Sequence, residues 1–107
     1  MNRTHTNGEL RLCDAGSQVS LIGWVAKRRN FGSLVFIDLR DRTGITQLVF
    51  DENMAKKISD VRNEYILEVH GIVAERKDKN PQLPTGDIEI QVQEVSVINT
   101  ANTTPLI

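Results

Sequence analysis

Three runs of alternating apolar and polar residues crowd the first half of the chain. "VSLIGWVAKRR", Val19 to Arg29, is rich in β-branched and aromatic residues and predicts a first strand, with Gly23 as the natural place for a bend or bulge. "NFG", Asn30 to Gly32, reads as a turn. "SLVFIDLR" follows as a second strand, with Val35, Ile37 and Leu39 on one parity and Leu34, Phe36 and Asp38 on the other. "DRTG" ends it, and "ITQLVFD" is a third strand in which Thr46, Leu48 and Phe50 alternate with Ile45, Gln47 and Val49. From Glu52 to Val61 the period changes. Met54, Ile58 and Val61 lie three or four apart, Asp51 is placed to cap, and Lys56 and Lys57 face water, which predicts a short helix. "EYILEVHGIVAER" returns to alternation, with Tyr65, Leu67, Val69 and Val73 on one side, and predicts a fourth strand. "KDKNPQLPTG" is a loop by composition. "DIEIQVQEVSVIN" is a fifth strand whose apolar parity slips between Val92 and Val95, the mark of a bulge.

The order βββαββ predicts an all-β domain, a five-stranded OB-fold Greek-key barrel with a short helix between strands three and four. In that barrel strands two and three and the adjacent loops form the usual binding face. Residues 19–99 carry the barrel. Residues 1–18 form an N-terminal extension, with Leu10, Leu12 and Ala15 on a short helix that lids one end. Residues 100–107, polar and holding Pro105, have the look of a linker to a further domain.

Composition narrows the class. A chain of 107 residues with 39% hydrophobic and 25% charged residues is ordinary for one globular domain. Cys13 is the sole cysteine and cannot close an internal disulfide, so a reducing, cytoplasmic setting is the simplest context. No apolar run reaches the length of a signal peptide or a membrane span. His5 and His70 have no second ligand at metal spacing, the serines lie in no nucleophile motif, and glycine-rich phosphate loops are absent, so neither a metal site nor a catalytic centre is expected. Asp38 and Asp41, flanked by Arg40 and Arg42, are expected to form cross-strand ion pairs.

Charge is balanced over the chain but not along it. Between Trp24 and Arg42 five basic residues (Lys27, Arg28, Arg29, Arg40, Arg42) meet two acidic ones, giving +3 in a chain whose formal total is -1. Everything outside that segment sums to -4, as expected when one face meets phosphates. Phe36 sits among these cations. If Val35, Ile37 and Leu39 form the core it faces outward as a ring for a base; the inverted register would bury it together with Asp38, which is costly unless the carboxylate is paired.

The stretch "GWVAKRRNFGSLVFIDLRDRTGITQLVF" closely resembles the N-terminal anticodon-binding domain of bacterial-type aspartyl-tRNA synthetases. "RTHTNGELRL", "VRNEYILEVHGIV" and "NPQLPTGDIEI" extend the resemblance over essentially the whole chain, and "TTPLI" resembles the start of the hinge to a catalytic domain. The resemblance implies tRNA as partner, with a GUC anticodon, and it implies roles for eight residues. Phe36 would stack on the middle anticodon base, a uridine. Gln47 would hydrogen-bond that base, and Arg29 would lie near it. Arg28 and Lys27 would meet phosphate or sugar, while Arg76, Asn80 and Glu89 would help read the outer bases. It also implies ATP and magnesium chemistry and homodimer contacts in a catalytic domain beyond this sequence. Three departures stand out: Ala74 and Glu75 precede Arg76 where many relatives have a further arginine, the loop that follows is short, and Asn7 stands where relatives often have cysteine. Asparaginyl- and lysyl-tRNA synthetases share the fold and a middle uridine, and an enzyme serving both aspartate and asparagine tRNAs fits the same motifs. A free-standing, sequence-tolerant single-strand binder is the other reading, but such proteins rely on several stacking aromatics and this chain has five in all.

Overall fold

The computed structural model describes residues 3–99; the expected linker at 100–107 lies outside them. Five strands close a barrel in the order β1-β2-β3-β5-β4. These are β1 (Gln18–Phe31), β2 (Leu34–Asp41), β3 (Gly44–Phe50), β4 (Ile66–Glu75) and β5 (Ile88–Asn99), with a short helix α1 (Glu52–Ala55) between β3 and β4. The expected OB-fold is present. β1 is long enough to serve two neighbours: its first half pairs with β4, from Gln18 opposite Ile72 to Trp24 opposite Ile66, and its second half pairs with β2. Closure comes from a short parallel contact of β3 with β5, Leu48 beside Ile90 and Val49 beside Gln91.

The interior is the alternating set expected from the sequence. Val35, Ile37 and Leu39 of β2 and Leu48 and Phe50 of β3 are buried, with Leu67, Val69, Val73, Ile88 and Ile90 from the other wall. Phe36 therefore points outward, and the inverted register is excluded. At one barrel end α1 and the 3-10 turn Lys56–Ile58 bring Met54, Ile58 and Val61 into the core, with the Asp51 carboxylate accepting from the Met54 N–H as cap. At the other end Leu10 is fully buried in the same core. The expected N-terminal helix is only a 3-10 turn, Leu12–Asp14, and Leu12 and Ala15 face solvent.

Local details correct several boundaries. The helix expected to reach Val61 stays α-helical only through Ala55. β4 begins at Ile66 rather than Glu64 because Glu64 sits at φ 77, a left-handed kink that no extended strand accommodates. The parity slip in β5 is a bulge: the register passes from Glu94 opposite His70 to Val92 opposite Gly71, skipping Gln93. In β1 the bulge is at Ala26, not Gly23, since Val25 faces Leu39 and Lys27 already faces Asp38. Gly23 answers a different need. A β-carbon there would collide with the Arg40 carbonyl oxygen and crowd the Asn7 amide nitrogen.

Candidate nucleic-acid interface

The Ala26 bulge decides which cations share a face. Opposed residues in a ladder point to the same side of the sheet. After the bulge Lys27 lies opposite Asp38 and Arg29 opposite Phe36, both outward, while Arg28 lies opposite the buried Ile37. The outer face of β1 thus carries Lys27, Arg29 and Phe31, next to Phe36 and Asp38 of β2 and Gln47 and Val49 of β3.

At the centre is a chain of side-chain hydrogen bonds. Arg29 grips Asp38 with two nitrogens, at 3.1 and 3.2 Å, and Nη2 also donates to Gln47 Oε1 at 3.0 Å. Gln47 Nε2 donates to Glu89 Oε1 at 2.9 Å, a contact made possible by the parallel closure of β3 on β5. Arginine only donates and an ionised carboxylate only accepts, so the two partners fix which way the Gln47 amide points. Although it lies on the outer face, Gln47 is only 8% exposed.

The loop from β4 to β5 packs beside this chain. Thr85 is buried and its hydroxyl donates to the Ile45 carbonyl of β3. Gly86 lets the loop close on itself, because a β-carbon there would collide with the Asn80 carbonyl. Asn80 takes part in that closure: its N–H donates to the Gly86 carbonyl and its Oδ1 accepts from the Gln82 N–H. Arg76 is 6% exposed, with Nε donating to the Ile88 carbonyl at 2.8 Å. Burial pulls the Arg76 guanidinium below its ordinary value, nearby Asp38 and Glu89 hold it up, and Arg29 adds to the fall. Arg76 therefore lies beneath the surface, as a cation supporting the acidic members of the chain.

Two expectations change. Arg28 does not lie free on the basic face: Nη1 donates to the Ile58 carbonyl at 2.5 Å and the Val61 carbonyl at 2.9 Å, and Nε to Asn30 Oδ1 at 3.2 Å. It satisfies carbonyls that the short helical segment leaves open. Asp41 pairs with neither arginine beside it. Its carboxylate accepts from the N–H of Asn7 at 2.9 Å, of Thr43 at 2.8 Å and of Gly44 at 3.3 Å, and from the Thr43 hydroxyl. Of the two aspartates only Asp38 makes a cross-strand pair, and its partner is Arg29. Lys27 stays exposed.

Phe31 is the residue that sequence reasoning left aside. Assigned to the turn, it is the last paired residue of β1, and its ring lies parallel to Phe36 with centroids 6.4 Å apart. Its spacing of two from Arg29 and four from Lys27 was the available signal. Chemically, the face offers aromatic surface, an amide of fixed orientation, and cations beside them, which together suit an unstacked base and its phosphates. Among the described residues no group of three His, Cys, Asp or Glu side chains is gathered for a metal, and no helix is long and apolar enough to cross a membrane.

The chain belongs to the tRNA anti-codon family of OB-fold nucleic acid binding domains, whose model matches residues 19–98. Among curated relatives, the aspartate-tRNA ligase of Amoebophilus asiaticus is 51% identical over 112 residues, covering 100% of this chain and 19% of its own. The aspartate-tRNA ligase of Bacteroides thetaiotaomicron is 51% identical over 109 residues, again covering 19% of its own length. The chain thus spans about a fifth of these relatives. Among solved structures, asparaginyl-tRNA synthetase from Pyrococcus horikoshii is 28% identical with a TM-score of 0.78, over 94% of this chain and 23% of that one. Aspartyl tRNA synthetase from Entamoeba histolytica shares the fold with a TM-score of 0.83 at 23% identity, over 98% of this chain and 22% of that one.

Proposed function

We propose that this chain is the anticodon-reading domain of an aspartate-tRNA ligase, which captures the unstacked GUC anticodon of tRNA(Asp) and so presents the acceptor end to a catalytic domain. The middle uridine stacks on Phe36 and its edge meets Gln47. The observation that carries the reading is the oriented Gln47 amide beside the Phe36 ring. With Arg29 on its oxygen and Glu89 on its nitrogen, the amide keeps one N–H and one lone pair. Those two groups complement a uracil edge, which offers an acceptor at O4 and a donor at N3. Cytosine reverses both, and an amide that cannot flip leaves polar groups unpaired against it. The relatives' names support aspartate over the related asparagine and lysine enzymes. In the full-length cytoplasmic enzyme ATP, magnesium and aspartate would bind outside this chain, and a homodimer contact would lie there too.

The test is a titration at one fixed salt concentration against anticodon stem-loops with uridine or cytidine in the middle position. Wild type prefers uridine several-fold. Gln47→Ala narrows the gap, because the oriented amide that tells the two bases apart is gone. Equal binding of the two stem-loops by wild type would replace this reading with that of a sequence-tolerant binder.

A further inference from the structure

Phe31 is 73% exposed, the most open large apolar side chain among the described residues. The fold explains its position but not its exposure. The β1–β2 hairpin turns in two residues, Gly32 and Ser33, with Gly32 at φ 63, the conformation that a type II′ turn requires at its first position. So tight a turn pins Phe31 opposite Leu34 and diagonal to Phe36, on the outward side it shares with Arg29 and Lys27. The two rings are parallel to within 6°, at a separation typical of aromatic contact.

We propose that Phe31 is a second stacking site, which takes the nucleotide next to the one on Phe36, so that the hairpin holds two successive unpaired bases. This rests on the anticodon reading above. Gln47 lies two strands away, opposite Asp38; the Asn30 amide, whose oxygen accepts from Arg28, stands on the opposite parity of β1 from Phe31, and Gly32 has no side chain. The second site therefore accepts its base by surface rather than by edge, whatever its identity.

The experiment measures affinity of the chain and its Phe31→Ala, Phe31→Trp and Phe36→Ala variants for an intact anticodon stem-loop and for stem-loops made abasic at the middle position or at either neighbour. Phe31→Ala should weaken intact RNA about five-fold or more. The loss should vanish with one of the two neighbour-abasic RNAs and persist with the middle-abasic RNA, and Phe31→Trp should restore binding. A loss that vanishes only with the middle-abasic RNA would mean that Phe31 merely braces Phe36, and the inference falls. Unchanged binding by Phe31→Ala beside weakened binding by Phe36→Ala overturns the second site and leaves the anticodon reading standing. If Phe36→Ala also has no effect, the anticodon reading fails and takes the inference with it.

Discussion

On the β2–β3 side of the barrel Asp38, Arg29, Gln47 and Glu89 form one hydrogen-bonded chain of side chains; on the β4 side Ser20 joins His70 through its hydroxyl and Thr4 through its backbone N–H, with Glu68 near the other ring nitrogen. Ser20 Oγ lies 2.5 Å from His70 Nδ1, Glu68 lies 3.5 Å from Nε2, and Thr4 Oγ1 accepts from the Ser20 N–H at 2.8 Å. A cleft of about 420 Å³ opens there, lined by Thr4, Ser20, His70 and Glu94 among others and by no Phe, Tyr or Trp. The chemistry of the links differs. On the β4 side the Ser20 hydroxyl and the imidazole nitrogen it meets can each donate or accept, whereas the Ser20 N–H can only donate to Thr4. Arginine and carboxylate cannot exchange roles, so the direction on the β2–β3 side is fixed. A fixed pattern next to aromatic rings can tell one base from another, whereas the β4-side links tie the N-terminal segment to the barrel. Hydrogen-bond number alone does not mark a reading surface.

The largest effect should come from treating the three consecutive cations as equivalent. Hydrogen bonds from a charged group contribute about 1.5–3 kcal/mol each, and Arg28 makes two to main-chain carbonyls at the helical end of the barrel. Arg28→Ala should lower the unfolding free energy by about 2–3 kcal/mol in urea titrations while leaving the salt slope of RNA binding unchanged. A stable variant with a flatter slope would return Arg28 to the phosphate face.

Next comes the aromatic contrast itself. Phe36→Ala should weaken stem-loop binding by about 1–3 kcal/mol with either middle base, whereas His70→Ala on the β4 side should change affinity less than about two-fold. Comparable losses from both would erase the distinction between the faces.

The strands and their facing were legible because period-two patterning is local, and even the Gln93 bulge showed as a slip among apolar residues. The Ala26 bulge did not. After Val25 the run "AKRR" holds no buried apolar residue to reveal a change of parity, so Arg28 read as surface when its side chain serves the helix. The Gln47–Glu89 bond was hidden for another reason: it depends on barrel closure between residues 42 apart in sequence. Asp41 was misread because the flanking arginines drew the eye from the turn itself: Thr43 and Gly44 bond its carboxylate locally, and only the bond from Asn7, 34 residues away, was hidden.

Asp41 sharpens the comparison, since it is a fixed acceptor at the far end of β2 from Phe36. Burial pushes its carboxyl up, but the hydrogen bonds from Asn7 and Thr43 outweigh that and hold it below the ordinary 3.8. A depressed folded value means that ionised Asp41 stabilises the fold fully above about pH 3.8 and that this contribution is lost as pH falls through the depressed value. Asp41→Asn should cost about 1.5 kcal/mol at neutral pH and remove part of the acid dependence below 3.8, with uridine preference intact. A change in base preference would show that direction alone, away from the Phe36 ring, shapes recognition.

The smallest effect isolates charge from both direction and stacking. Lys27 is exposed, stands opposite Asp38 on the outward face, and belongs to the same run of cations as Arg28 and Arg29. Neutralising one phosphate on a single strand contributes about 0.7 to the slope of log affinity against log salt. Lys27→Ala should therefore lower that slope by about 0.7, weaken uridine and cytidine stem-loops alike, and leave unfolding within about 0.5 kcal/mol of wild type. The result to look for is the pairing of a changed slope with an unchanged uridine preference. A narrowed preference would mean that Lys27 acts through Asp38 and Arg29 on the orientation of Gln47, and the fixed chain would then extend one residue further along β1 than its hydrogen bonds reach.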